Sequence, residues 1–562
     1  MTPCAHRLRP LLLAAVAWAG YLPSALAEEP ASRPEAGLVA YRAGPDLEAF
    51  VAGRVAAWRG RGVNVEAGVY GQSAGGRPLV WLRLGNPQAP GVVLVHGGLA
   101  ANDAAGTAAV LALAERLCSP EGATARQGLR WLLLPAPNPD ALASFLSGQP
   151  RAGGGAQDRD LDGRAGEDGP EDLDGDGEVR WLRRPQALGA WASGEQVGKE
   201  GTPERDARLM LERGVDAARA SSYDLQREGR DSDGDGRVDE DPPGLDLTRA
   251  FAGVWDHQGP WGGEGAFPGA APEVQALMDL SLAEPGLVAW YGFRSEGPLL
   301  LRASEHGEAA EADRALYDRL GMALRERTGL GLRKASELAR LRNPGSELDW
   351  ASAHLGVVAV SIPVWRIPKQ AAHGAERDAP DEVDWLLWAD ASLPAGAFQP
   401  WTPFQHPELG SVELGGWARF TRHEPPASLL EPAVAAVCAA PLAQAGLLPT
   451  LGLQAVVRDL GGGLHDVRVQ VLNRGSWPTE TPLAVARRLA HPVLLGLETG
   501  AGVERVAGPA VADAGVLEAG QGSREQRWLL RSGPTRPAGS PLGLLRARHR
   551  RAGVATQEVR AP

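Results

Sequence analysis

The chain has 562 residues, 44% hydrophobic and 22% charged, with 57 Lys+Arg against 69 Asp+Glu and a formal net charge of −12. That apolar content is enough for a large core, which excludes a fibrous or wholly disordered chain, and the length implies two or three domains. The acidity argues against nucleic acid as a partner, because such binders present a basic surface.

Residues 1–27 read as a secretory signal peptide: Arg7 and Arg9, the apolar run Pro10–Gly20, then Ala25-Leu26-Ala27 before Glu28. The run falls well short of the roughly 20 residues that span a bilayer. No later segment reaches that length, so an exported protein, secreted or periplasmic, with no transmembrane segment after cleavage is expected. Cys4 leaves with the signal, and the remaining pair, Cys118 and Cys438, would allow one disulfide but offers no metal-site spacing.

Residues 28–445 alternate buried strands with helices. Val92–Val95 is a continuous apolar run, and Asn102-Asp103 opens an Ala/Leu-rich helix over 104–117. A second strand over 129–134 leads to a turn at Asn138-Pro139-Asp140. Helices are expected over 272–283, 309–327, 346–354 and 427–443, with strands over 287–291 and 356–362. The alternation implies an α/β fold with a mixed, largely parallel sheet flanked by helices on both faces. From residue 446 to 562 the pattern turns to short strands, such as 453–457 and 466–472, punctuated by Gly461-Gly462-Gly463. This predicts a small C-terminal β-sandwich.

Two insertions, 158–178 and 224–246, carry the acidity: ten acidic residues and two Arg give −8 in the first, nine and three give −6 in the second. They hold three loops with Asp at alternating positions: Asp158, Asp160 and Asp162; Asp172, Asp174 and Asp176; Asp231, Asp233 and Asp235. Alternating hard oxygen ligands followed by Gly suit calcium. None completes an EF-hand, since position twelve from Asp231 is Pro242. A structural calcium is expected, because carboxylates this crowded repel one another without a cation.

Several segments, in order, resemble the zinc carboxypeptidases (carboxypeptidase A-like metallocarboxypeptidases), in particular their secreted bacterial members. They are Gly71-Gln-Ser73-Ala-Gly-Gly76-Arg77-Pro78-Leu79, Asn138-Pro139-Asp140, Glu240-Asp241-Pro242-Pro243-Gly244, Asp246-Leu-Thr248-Arg249-Ala-Phe251, Pro272-Glu273 and the run from His406 to Trp417. The resemblance spans about residues 40–445 and implies the fold of that family. It also implies where the chemistry should lie: an H-x-x-E zinc pair after the first buried strand, a later His, and a Glu general base. Those positions fall on Ala100 and Asp103, on Phe293, and on Pro363. Ala, Phe and Pro side chains neither ligate a metal nor shuttle a proton, so no zinc and no catalytic residue is expected. Arg249 matches the family's arginine for a substrate carboxylate, with Arg151 as a second anion-binding group. The alternative for Arg249 is a local pair with Asp246.

Three functions follow as expectations. The first is a catalytically inactive pseudopeptidase whose cleft binds peptide C-termini or other carboxylates. The second is an active metallocarboxypeptidase with relocated ligands, in which His96, Asp103 and another His converge on zinc. The third is a structural envelope or interaction protein. The match Gly71-Gln-Ser73-Ala-Gly75 to a serine nucleophile elbow leads into a strand rather than a helix, which removes it.

Overall fold

A computed structural model describes residues 39–562 apart from 149–168, 198–204, 213–221, 233, 235–237, 239–244, 253–266, 298, 304–312, 335–345, 368–380, 445 and 535. The signal segment 1–27, Arg151, Asp158, Asp160, Asp162, Asp233 and Asp235 lie outside the described residues.

The chain opens with α1 (Gly44–Gly60), the hairpin β1 (Val65–Gln72) and β2 (Pro78–Gly85), and β3 (Val92–His96). Next come α2 (Ala104–Cys118), α3 (Ala123–Gly128), β4 (Arg130–Leu134) and α4 (Pro139–Leu146). The first acidic insertion leads into β5 (Trp181–Pro185), β6 (Trp191–Ser193), α5 (Gly194–Val197), β7 (Met210–Glu212) and β8 (Tyr223–Arg227). A 3-10 turn over Leu247–Arg249 precedes α6 (Pro272–Leu282), β9 (Leu287–Glu296), β10 (Leu300–Arg302), α7 (Arg314–Thr328) and β11 (Leu332–Lys334). Then follow α8 (Glu347–Trp350) with a π turn over Ala351–Leu355, β12 (Val358–Trp365) and α9 (Glu382–Ser392). The hairpin β13 (Phe398–His406) and β14 (Gly410–Trp417) leads to α10 (Ala427–Val437) and α11 (Ala439–Gln444).

Eight strands form the central sheet in the order β1-β2-β4-β3-β9-β12-β10-β11. The pairs β4/β3, β3/β9, β9/β12 and β10/β11 are parallel, and β1/β2, β2/β4 and β12/β10 antiparallel. The sheet is therefore mixed, as the alternating pattern implied. β3 and β12 are buried at every residue because helices cover both faces. Strand alternation divides the core. On one face Val93, Val95, Leu133, Tyr291 and Phe293 pack with Leu113, Tyr317 and Val434 of α2, α7 and α10. On the other, Leu94, Leu132 and Trp290 pack with Leu247, Val274 and Trp350. The hairpin β13/β14 joins β5 in a second, six-stranded sheet, β13-β14-β5-β8-β6-β7.

Several local expectations are revised. Asn138 does not sit in a free turn. It caps α4, its Oδ1 accepting from Ala141 N at 3.3 Å, with Pro139 in the first helical position. The helix expected over 427–443 is divided at Cys438 into α10 and α11. The strand expected over 287–291 runs on to Glu296, and this extension carries residues of the candidate site. Ser73 lies in the β1/β2 turn with Oγ accepting from Arg77 N at 2.9 Å, which is no place for an elbow nucleophile.

Cys118 and Cys438 are buried free thiols, not a disulfide. Cys438 Sγ lies 3.5 Å from the carbonyl of Ala109, nine residues before Cys118 on α2. At about 1.5 Å rise per residue that is roughly 13 Å along the helix, beyond disulfide reach. Burial pushes both thiols up to about 12. Ellman's reagent should therefore label neither until the chain is unfolded, and reductant should leave the melting temperature unchanged. Immediate labelling of the native protein would contradict this packing.

The C-terminal strands are β15 (Leu451–Gly461), β16 (Leu464–Asn473), β17 (Leu494–Thr499), β18 (Glu504–Ala507), β19 (Val511–Asp513), β20 (Gln526–Arg531), β21 (Pro541–His549) and β22 (Gly553–Arg560), with α12 (Pro482–Ala486) between β16 and β17. They form two four-stranded antiparallel sheets, β15-β16-β20-β18 and β19-β17-β21-β22. Val467, Val469, Trp528 and Leu530 of one share a core with Leu495, Leu545 and Ala547 of the other. Gly461, Gly462 and Gly463 all adopt positive φ (83°, 63° and 82°) at the β15/β16 turn, a region that favours Gly.

The sandwich is bolted to the α/β part. Arg551 donates to the carbonyls of Leu355 (2.6 Å) and Gly356 (2.9 Å), the end of the π turn, and Thr481 Oγ1 also donates to Gly356 O. Leu483 N donates to Asp313 Oδ1 at 2.7 Å, at the start of α7.

Candidate functional site

The corner after β3 turns through Gly97 and Gly98 into α2. A Cβ on Gly97 would stand 2.2 Å from the carbonyl of Gly106, so helix and strand can meet this closely only with Gly there. Ala100 follows, and its amide donates to Asp103 Oδ2 at 3.0 Å. Asp103 is buried, and its Oδ1 accepts from Ser295 N on β9 at 2.9 Å. Both oxygens of this carboxylate are thus engaged by backbone. Burial raises the Asp103 carboxyl above its ordinary value, against the opposing charge of Arg294 and these two hydrogen bonds.

The N-terminal amides of α2 would be orphan donors. Glu424, fully buried and more than 300 residues away in sequence, supplies the acceptors: Oε1 takes Ala104 N at 2.6 Å and Oε2 takes Ala105 N at 2.9 Å. Ser295 Oγ also donates to Glu424 Oε1. Burial raises the Glu424 carboxyl well above its ordinary range, with Ser295's hydrogen bond opposing and Asp103's charge adding to the rise.

Phe293 is 1% exposed and belongs to the core beneath α2. Pro363 lies in the buried strand β12, paired with Arg294, while Ile362 pairs with Phe293. Ala100 and Phe293 offer no ligand atom, and Asp103 has spent its oxygens on amides. His96, the relocated-ligand candidate, is 2% exposed and packs edge-on to Trp290, its Nε2 accepting from Trp290 Nε1 at 3.1 Å. That bond leaves the ring proton on Nδ1, and burial holds the imidazole neutral by pulling its pKa down to about 3. His96 and Asp103 therefore hydrogen-bond to different partners, Trp290 for the one and the amides of Ala100 and Ser295 for the other.

Arg249 is buried in the Leu247–Arg249 turn. Asp246 caps that turn, its Oδ1 accepting from Thr248 N (3.0 Å) and Thr248 Oγ1 (2.7 Å). Glu347 at the start of α8 completes the corner. It is 5% exposed, and burial, reinforced by Asp103 and Asp246 and opposed by Arg294, pushes its carboxyl up to about 8. No sequence signal marked Glu347, Arg294 or Glu424 for this corner: Ser346-Glu347 reads only as a helix start, and the other two acquire meaning through tertiary contacts.

Among the acidic loops, Asp172, Asp174 and Asp176 come together, one carboxylate oxygen of each within 4.8 Å of the others. Asp172 accepts from Gly175 N and Gly177 N, both at 2.8 Å, which curls the loop. Asp231 accepts from Gly234 N at 2.6 Å in the neighbouring loop. A bridge between Pro170 and Gly229 sets the two loops side by side.

The sheet and its helices form a mixed α/β domain, with this corner at the end of its central strands. Residues 63–149 match the family model described as zinc carboxypeptidase. Residues 453–560 match a Domain of unknown function (DUF8731). No curated protein matches the sequence. Similar solved structures include bovine thrombin-activatable fibrinolysis inhibitor in complex with tick carboxypeptidase inhibitor, at 10% identity and TM-score 0.42, covering 73% of this chain and 97% of that one. Carboxypeptidase A from Helicoverpa armigera (14%, 0.38) covers 59% and 66%, and a metallo-carboxypeptidase from Burkholderia cenocepacia (14%, 0.31) covers 69% and 68%. No site residue is carried over from these distant likenesses. Among the described residues, no helix is long and apolar enough to cross a membrane.

Proposed function

We propose that this protein is an exported, catalytically inactive relative of the zinc carboxypeptidases whose cleft binds peptide C-termini or other carboxylates through Arg249. The observation that carries the reading is the fate of the family's ligand positions. Asp103 is tied to the amides of Ala100 and Ser295, and Phe293 is packed into the core. A catalytic zinc needs three protein ligands and an open water position, and these residues supply no such set. A guanidinium recognises a carboxylate without any metal. Export rests on the Met1–Ala27 pattern. Calcium would be the resident ion, held by Asp172, Asp174 and Asp176 and structural in role.

Elemental analysis of the purified protein should find calcium but no stoichiometric zinc, and N-acyl dipeptides should keep their C-terminal residues. One zinc per chain, lost together with hydrolysis on chelation and regained with it, would establish the active-enzyme reading instead.

A further inference from the structure

The family's site is built around a cation, and the chain keeps a cation in the same corner by another route. Arg294 follows Phe293 on β9 and pairs with Pro363 on β12, so it stands between the expected third ligand and the expected general base. Strand alternation sends it to the opposite face from Phe293. That is the face of Trp290 and of Gly292, where His96 and Glu347 converge: a Cβ on Gly292 would lie 2.9 Å from His96 Nε2 and 3.2 Å from Glu347 Oε1. The amide next to Arg294, Ser295 N, holds Asp103.

Three features show that this corner is an incomplete polar cluster. Arg294 is half-buried, and its charge is felt by both Asp103 and Glu347. It acts on both through charge alone, with no side-chain hydrogen bond to either carboxyl. Two buried polar atoms of the pair around Gly292, Glu347 Oε2 and His96 Nδ1, have no hydrogen-bond partner. Buried polar groups are rarely left so unless water or a ligand completes them.

We propose that Arg294 is the cationic anchor of this corner and binds the carboxylate of a C-terminal, N-acyl amino acid-type ligand. The inference rests on the carboxylate-binding reading above and adds to it a second cation, on the face of Trp290 and Glu347. Glu347, held neutral, carries a proton that it can donate to the same carboxylate, so cation and acid would grip the ligand from two elements, β9 and α8.

Isothermal titration of the full chain with N-benzoylglycyl-phenylalanine and with its C-terminal amide tests this. The acid should bind and the amide should not. Arg294→Gln should weaken the acid by roughly tenfold or more, while Arg294→Lys keeps part of the affinity. Circular dichroism should show both variants folded, with Arg294→Lys keeping the charge that acts on Asp103 and Glu347. If the wild type and Arg294→Gln bind the acid equally while Arg249→Gln does not, the Arg294 inference fails and the Arg249 reading stands. If the wild type binds acid and amide alike, or neither, the carboxylate reading itself fails.

Discussion

Replacing Glu480 by Ala should cost about 3–5 kcal/mol of stability, the range for breaking a buried ion pair by removing one partner. Glu480 is 1% exposed and sits under the seam between the sandwich and the α/β part. It takes Arg551 through Oε2, Arg550 Nε at 3.0 Å and His549 Nε2 at 3.3 Å. Burial works against its charge, but His549 and the two guanidinium groups prevail and hold the carboxyl down near 2. Without it, Arg551, itself 5% exposed, would be a buried cation held only by the carbonyls of Leu355 and Gly356. Those carbonyls end the π turn that follows α8, so a cation from the sandwich caps a helix end of the other domain. The expected readout is a lower urea midpoint by Trp fluorescence, with the two parts no longer unfolding together. The sign with pH follows from the lowered carboxyl: this contribution is present above about 4.5 and lost as pH falls toward 2, so wild type and variant should converge in acid. A loss below about 1 kcal/mol at neutral pH would mean that the seam is not held by this network.

The sheet was legible because its central strands are continuous apolar runs. Val92–Val95 can be nothing but buried on both faces, and the structure places it between β4 and β9. The limits of legibility are equally physical. Asn-Pro-Asp has the chemistry of both a turn and a helix cap, and only the hydrogen bonds Asn138 makes to Ala141 and Leu99 decide which. Cys118 and Cys438 could be paired on paper because sequence carries no distance; the packing of Cys438 against Ala109 removes that option. Ala100 and Phe293 are legible as residue types that offer no ligand atom. The meaning of Asp103 was not, since it depends on Ser295 N across the sheet. Glu424 and Arg294 were invisible for the same reason: one acts from the far end of the domain, the other through a strand register.

Glu347→Gln should change how stability depends on pH, with its largest effect above about pH 8. Four groups from separate elements face Glu347: His96 from β3, Asp103 from the corner before α2, Arg294 from β9, and Asp246 ahead of the Leu247–Arg249 turn. Burial and the two acids outweigh Arg294, so the folded protein holds the Glu347 proton up to about pH 8, while the unfolded chain releases it near 4.5. The stabilisation from this raised carboxyl is therefore complete below about 4.5 and is lost as pH rises through about 8. Its slope for one proton is about 1.4 kcal/mol per pH unit. Gln has no proton to lose, so the variant should gain on the wild type steadily from pH 5 to 8 and then hold a constant lead, as read from urea midpoints at pH 5, 7 and 9. Parallel pH profiles would mean that Glu347 is ionised in the fold. A neutral Glu347 is also the form that can donate to a bound carboxylate. Ligand affinity should then decline in the wild type over the same rise through pH 8 and stay level in Glu347→Gln, whose amide still donates. The two pH profiles, of stability and of binding, should then turn at the same pH.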